Sequence, residues 1–144
     1  MIVNTPQQTF RAALGQFFVK ETSTENLAAA RSLIERSETA GADLLVLPEC
    51  IIARRLGMPD WGQKQAEPLD GPFVSGLREA TRGRRVTVVC TVQAKIANES
   101  RYANDLLVIQ NGELRLTYQK IHLYDAFRGK ESSYAAPGDV LPQV

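Results

Sequence analysis

Histidine and cysteine are nearly absent from this 144-residue chain, with one and two copies respectively and no Cys-x-x-Cys pair. That scarcity excludes the usual zinc patterns, which need several closely spaced His or Cys ligands. Cys50 and Cys90 each lie inside an apolar, strand-like run and do not form a disulfide framework. Charge of one sign is missing too. Lys and Arg total 17 against 16 Asp and Glu, a net charge of +1, so no field attracts nucleic acid or an anionic membrane. The one basic cluster, Arg82 with Arg84 and Arg85, reads as a solvated helix end. No run approaches the roughly 20 apolar residues of a membrane helix. The opening MIVNTPQQTF has neither the basic nor the apolar region of a signal peptide. A cytoplasmic α/β domain without metal or cofactor is expected, and this length comfortably holds only one.

What is present is ordinary in amount, 44% apolar and 23% charged residues, and clear in pattern. RAALGQFFV (11–19) reads as a strand buried on both faces. The next stretch opens with Thr22 three residues before Glu25, the spacing of a capping box. Leu27, Ala30, Leu33 and Ile34 recur at helical spacing, and Gly41 supplies a stop. ADLLVLPE is a short continuous apolar run, the mark of a central parallel strand, and completes a βαβ unit. Residues 53–70 carry Gly57, Pro59, Gly62 and Pro68 and read as one long loop, a length often tied to function. Pro72 suits the first position of a helix whose apolar face is Phe73, Leu77 and Ala80, ended by Gly83. VTVVCTVQ (86–93) is a further buried strand, and ANDLLVIQNGELRLTYQK is a hairpin about Asn111-Gly112. This order predicts a mixed sheet with helices packed on one side. The closing PGDVLPQV reads as a turn entering another apolar segment, so a fragment is expected.

Two positions stand out chemically. In the second hairpin strand Leu114, Leu116 and Tyr118 alternate with Arg115, Thr117 and Gln119, so the even positions face inward. Continued, that parity turns Lys120 and His122 inward, where a lysine must find a partner or shift its pKa. The competing reading ends the strand at Tyr118 and lets Lys120 snorkel to solvent. Glu49 follows a buried strand and Pro48, which places a carboxylate at the C-terminal edge of a sheet, where open α/β folds gather their ligands. An exposed loop glutamate is the alternative. Cys90 is most simply a small buried hydrophobe. Cys50 adjoins Glu49, but neighbours in sequence usually point apart, so Cys50 is expected to pack away from it.

LLVLPE after a strand and helix, then YQKIHLYDAF after an Asn-Gly hairpin, resemble the nitrilase superfamily of carbon–nitrogen hydrolases. The likeness runs from about Arg11 to the last residue and takes in Gln16, the helix start from Asn26 to Ala30, and Asn104. KIHLYD followed by ES and PGD is most similar to the branch of omega-amidases and deaminated-glutathione amidases. The resemblance implies an α/β fold, the first half of an αββα sandwich. Residues 1–10 would form an N-terminal lead and residues 11–144 a partial hydrolase domain, truncated before its nucleophile.

The same resemblance implies a Glu–Lys–Cys triad. Glu49 matches the general base, Lys120 the stabiliser of the tetrahedral species, and Glu131 of KESS, less closely, a second positioning glutamate. The family's cysteine lies several tens of residues beyond its lysine, and no cysteine follows Lys120 here, so the chain is expected to contain no nucleophile. Trp61, His122 and Tyr124 are candidate substrate contacts. The alternatives for them are a loop anchor for Trp61, a hydrogen-bonded structural histidine, and core or pocket wall for Tyr124 and Phe127. The expected substrate is a small ω-amide, such as a 2-oxo-amide or a deaminated-glutathione-like molecule, and a completed chain is expected to be a homo-oligomer. Two other functions remain open: a truncated relic or interaction module, and an acyl-transfer or carbamoyl-amine hydrolase of the same superfamily.

Overall fold

Thr22 starts the first helix as its spacing predicts. Its hydroxyl oxygen accepts from the Glu25 N–H at 3.4 Å, and its O–H donates to the Glu25 carboxylate at 2.6 Å. A cap of this kind contributes about 1 kcal/mol. The structure, a computed structural model, describes residues 9–127 and 129–142. Residues 1–8 of the expected lead and the end of PGDVLPQV therefore fall outside the described residues. The elements in chain order are β1 (Ala12–Leu14), α1 (Ser23–Thr39), β2 (Leu44–Val46), α2 (Trp61–Gln65) and α3 (Pro72–Thr81). Then come β3 (Thr87–Lys95), β4 (Tyr102–Gln110), β5 (Glu113–Gln119), a 3₁₀ turn (Glu131–Ser133) and β6 (Ala135–Ala136).

The strands form one mixed sheet in the order β1-β2-β3-β4-β5, with β6 beside β4. β1, β2 and β3 run parallel, while β3, β4 and β5 are antiparallel neighbours. Asn111 and Gly112 both take positive φ, 49° and 79°, as a two-residue hairpin turn between β4 and β5 demands. Pairing register puts Leu45, Val88, Cys90, Leu107 and Ile109 on one face, in a single core with Ala30, Ile34, Phe73, Val74 and Leu77 of the helices. Each large side chain buried there contributes about 1.5–3 kcal/mol. Val46, Val89, Leu106, Val108 and Leu116 alternate to the opposite face and are only half-buried. Both long helices thus cover the same side of the sheet, as expected.

Three expectations fail. Residues 11–19 are not a strand buried on both faces: β1 has three residues, and Leu14 and Phe18 are 80% and 71% exposed. β1 is an edge strand covered on one side, so apolar residues pointing away from α1 meet solvent. The loop 53–70 is not structureless, because α2 lies within it and Glu67 bridges to Ala94 of β3. Phe127 is neither core nor pocket wall but fully exposed, at φ 53°. The basic cluster does sit at the end of α3, each arginine paired with an acidic neighbour.

Candidate active site

Beyond β2 the backbone keeps pairing with β3, through the Leu47 N–H to the Val89 carbonyl (2.9 Å) and the Ile51 N–H to the Thr91 carbonyl (3.0 Å). Pro48, Glu49 and Cys50 bulge between these bonds, and Cys50 takes φ 54°. That left-handed conformation costs a residue with a β-carbon about 1–2 kcal/mol. Neighbours on β3 hold it in place. The Cys50 N–H donates to Thr91 Oγ1 at 2.7 Å, and the Gln93 amide donates to the Cys50 and Ala53 carbonyls at 3.0 and 2.9 Å. Gln93 Oε1 also accepts from the Ile52 N–H at 3.1 Å. The bulge delivers Glu49 to the sheet edge with its side chain 61% exposed.

Lys120 arrives from the other end of the sheet. β5 stops at Gln119, yet the Lys120 N–H still donates to the Asn104 carbonyl and its own carbonyl accepts from the Gly138 N–H, both at 2.9 Å. The ladder therefore carries Lys120 one residue past the strand, on the face that Asn104, Leu106 and Tyr118 share; the expectation that Leu116 and Tyr118 face the core fails, because the bulge in the β4–β5 pairing leaves only Leu114 against it. Its Nζ lies 3.0 Å from Glu131 Oε2 and 3.3 Å from Glu49 Oε1. Lys120 is thus paired rather than snorkelling free to solvent, with its side chain 30% exposed. Glu131 opens the 3₁₀ turn, is 7% exposed and accepts the Tyr124 N–H at 2.6 Å. Asn104, buried in β4, binds the two carboxylates together: its Nδ2 donates to Glu49 at 2.7 Å and to Glu131 at 3.4 Å.

These contacts outweigh the cost of burying charge. Burial works against ionised Glu131, but the Tyr124 N–H, Lys120 and Asn104 hold its carboxyl below the usual range. Burial likewise works against the Lys120 ammonium, but its hydrogen bond to Glu131 and the charge of Glu49 hold its pKa above the usual lysine value. The thiols behave oppositely. Burial, then the charge of Glu49, pushes Cys50 up to about 12, and burial alone pushes Cys90 up to about 12.

Glu49, Lys120 and Glu131 open onto a cleft of about 820 Å³, within the size range of small-molecule sites. Tyr124 lines it. Cys50 lines it as well, which differs from the expectation that it points away; it also packs beside Tyr102 and Ala135. Trp61 is not among the lining residues. Its indole N–H donates to the Glu21 carbonyl at 2.9 Å and its ring carries Arg55, so it anchors the loop. His122 is exposed and does not line the cleft. Asn104 is the site residue that sequence reasoning missed. A buried asparagine in an apolar strand was the available signal, and its partners come from segments remote in sequence.

The sequence profile of the carbon–nitrogen hydrolase family matches residues 11–144, nearly the whole chain. This chain belongs to the carbon–nitrogen hydrolase family. Among its carbon–nitrogen hydrolase relatives, the deaminated glutathione amidase of Escherichia coli O157:H7 is 32% identical over 129 residues, covering 90% of this chain and 49% of that protein. The omega-amidase of Xenopus tropicalis is 27% identical over 139 residues, with 90% and 48% covered. The fold matches that of a CN-hydrolase superfamily protein from Xanthomonas campestris, described with an arsenic adduct in its active site. The TM-score is 0.77 at 25% identity, over 93% of this chain and 48% of that one. The chain therefore spans about half the length of the curated relatives it matches.

Proposed function

We propose that this chain carries the base and lysine of an amidase site that cleaves a small primary carboxamide through a cysteine thioester. The carrying observation is Lys120 Nζ, held 3.0 Å from Glu131 and 3.3 Å from Glu49, with Asn104 fastened to both carboxylates. In this reading Glu49 takes the proton of an attacking thiol as the sulfur bonds to the amide carbon. The carbonyl electron pair moves onto oxygen, and the Lys120 ammonium stabilises that negative charge, the type of interaction that contributes most in a dry site. Collapse breaks the C–N bond and releases ammonia, whose added proton comes from Glu49. Water then attacks the thioester, again with Glu49 as base, and frees the acid and the thiol. Glu131 positions the ammonium.

Neither cysteine of this chain suits the nucleophile's part. A thiol pushed up to about 12 is thiolate in only roughly one molecule per 10⁵ at neutral pH. We assign the attacking thiol to a segment outside these 144 residues, in keeping with relatives about twice as long. The residues 11–144 then form a partial domain, acting in a homo-oligomeric cytoplasmic enzyme. Fused to or co-expressed with the second half that its relatives carry, the chain should release ammonia from a small carboxamide. Glu49→Gln and Lys120→Met should each lower that rate by about 10²–10³-fold, the scale of losing one oxyanion donor. Turnover by the 144-residue chain alone, abolished by Cys50→Ala, would overturn the assignment of the thiol.

A further inference from the structure

We infer that Gln93 is a positioning residue for the base: its amide fixes the backbone after β2 so that Glu49 stays against Lys120. The inference takes its catalytic meaning from the amidase reading above. Gln93 is 2% exposed and sits directly opposite Asn104 in the β3–β4 ladder, so the two amides lie side by side on one face of the sheet. They divide the work. Asn104 donates to the Glu49 carboxylate, whereas Gln93 binds only the backbone that carries it.

A primary amide offers two donor hydrogens and an acceptor oxygen, and residues 50–53 take all three. The Cys50 and Ala53 carbonyls accept from Nε2, and the Ile52 N–H donates to Oε1. With Thr91 Oγ1 accepting the Cys50 N–H, the peptide groups on both sides of Cys50 are held. Its left-handed φ of 54° therefore cannot relax, and a rotation there would swing Glu49 away from the Lys120 ammonium 3.3 Å off. Two further contacts tighten the clamp. Asn26 of α1, 1% exposed, donates to the Ile52 carbonyl at 2.9 Å. Gly62 of α2 lies so close that a β-carbon there would come within 3.0 Å of Gln93 Nε2. The short helix inside the long loop thus covers the amide, and backbone groups that lost Gln93 would be left buried without partners.

The test is NMR titration of the Lys120 side chain in the 144-residue chain. Burial lowers its pKa and both carboxylates hold it up, so Glu49→Gln and Glu131→Gln should each lower its midpoint in the wild-type background. In a Gln93→Met background, where the side chain fills the space without hydrogen bonds, the drop from Glu49→Gln should vanish while that from Glu131→Gln persists. Gln93→Glu keeps only the acceptor for the Ile52 N–H and should behave alike, so it carries the test if the Met variant does not fold. In an enzyme completed with the second half, Gln93→Met should lower kcat by about 10²-fold, the scale of a catalytic group misplaced by about 1 Å. A Glu49 drop that survives in either folded variant, or loss of both drops together, overturns the inference and leaves the amidase reading standing. If Glu49→Gln leaves the wild-type Lys120 midpoint unmoved, the contact between base and lysine is itself refuted, and the amidase reading fails with it.

Discussion

Replacing Glu131 by Gln keeps an acceptor for the Tyr124 N–H, removes the charge that Lys120 faces, and sets an amide NH2 where an oxygen accepted from Asn104 and Lys120. Breaking a fully buried pair costs about 3–5 kcal/mol, but Lys120 is 30% exposed and keeps Glu49 at 3.3 Å. Water and the second carboxylate reduce the loss to about 2 kcal/mol, on the order of 4–8 °C in Tm for a domain of this size. The pH dependence carries the diagnosis. Glu131 has a folded pKa below its unfolded value, so its stabilisation is complete above the unfolded pKa and vanishes as pH falls through the folded one. Lys120 has a folded pKa above its unfolded value, so its share persists at neutral pH and is lost as pH rises through that folded pKa. Chemical denaturation of wild type and Glu131→Gln across pH should therefore show a constant gap from about pH 5 to 9 that closes at either extreme. A gap below about 0.5 kcal/mol, or one that persists unchanged to pH 2, would refute the charge argument, because a surface substitution alone gives as much.

Other outcomes follow from the same contacts. Asn104→Leu removes the amide that joins Glu49 to Glu131; the folded pKa of Glu131, followed by carboxyl NMR, should rise toward the ordinary range, and an unchanged value counts against the bridge. Cys50 should alkylate with iodoacetamide far more slowly at pH 8 than an ordinary thiol, with a rate still climbing above pH 10, because burial pushes it up to about 12; a midpoint near 8.5 would contradict this. Gly138→Ala would set a β-carbon 2.6 Å from the Gln119 carbonyl oxygen, a backbone atom beside Lys120. It should destabilise the fold by about 1–3 kcal/mol and shift the Lys120 amide resonance, and a neutral effect on both would show that the strand end is not held there.

Local signals in the sequence carried the elements, and remote pairing carried the site. Thr22 with Glu25, Pro72 and Asn111-Gly112 act within a few residues, and α1, α3 and the β4–β5 hairpin stand where those residues put them. The αβ class and the one-sided helix layer followed from their order. Leu14 and Phe18 misled because an apolar run does not reveal whether a second layer covers it. The five residues of α2 are too few for helical periodicity to register amid glycines and prolines. Parity grouped Lys120 with Leu116 and Tyr118 but took their face for the core side, because the bulge in the β4–β5 pairing is invisible in the alternation; the pairing of its backbone with Asn104 and Gly138 is what carries the ladder to it. Asn104 was legible only as part of the family likeness, and its bridging role was not, because Glu49 and Glu131 reach it from the loop after β2 and from the 3₁₀ turn. Trp61, by contrast, looked like a cleft residue and is occupied by Glu21 and Arg55.

The central claim is that Glu49 and Lys120 serve one acyl-transfer step, and pre-steady-state ammonia release tests it most directly. With the second half supplied, mixing enzyme with an excess of a small carboxamide should release a burst of one ammonia per site together with a thioester adduct visible by mass spectrometry. Glu49→Gln and Lys120→Met should remain folded and lose both signals together. Ammonia release that persists at the wild-type rate in either variant would contradict the account.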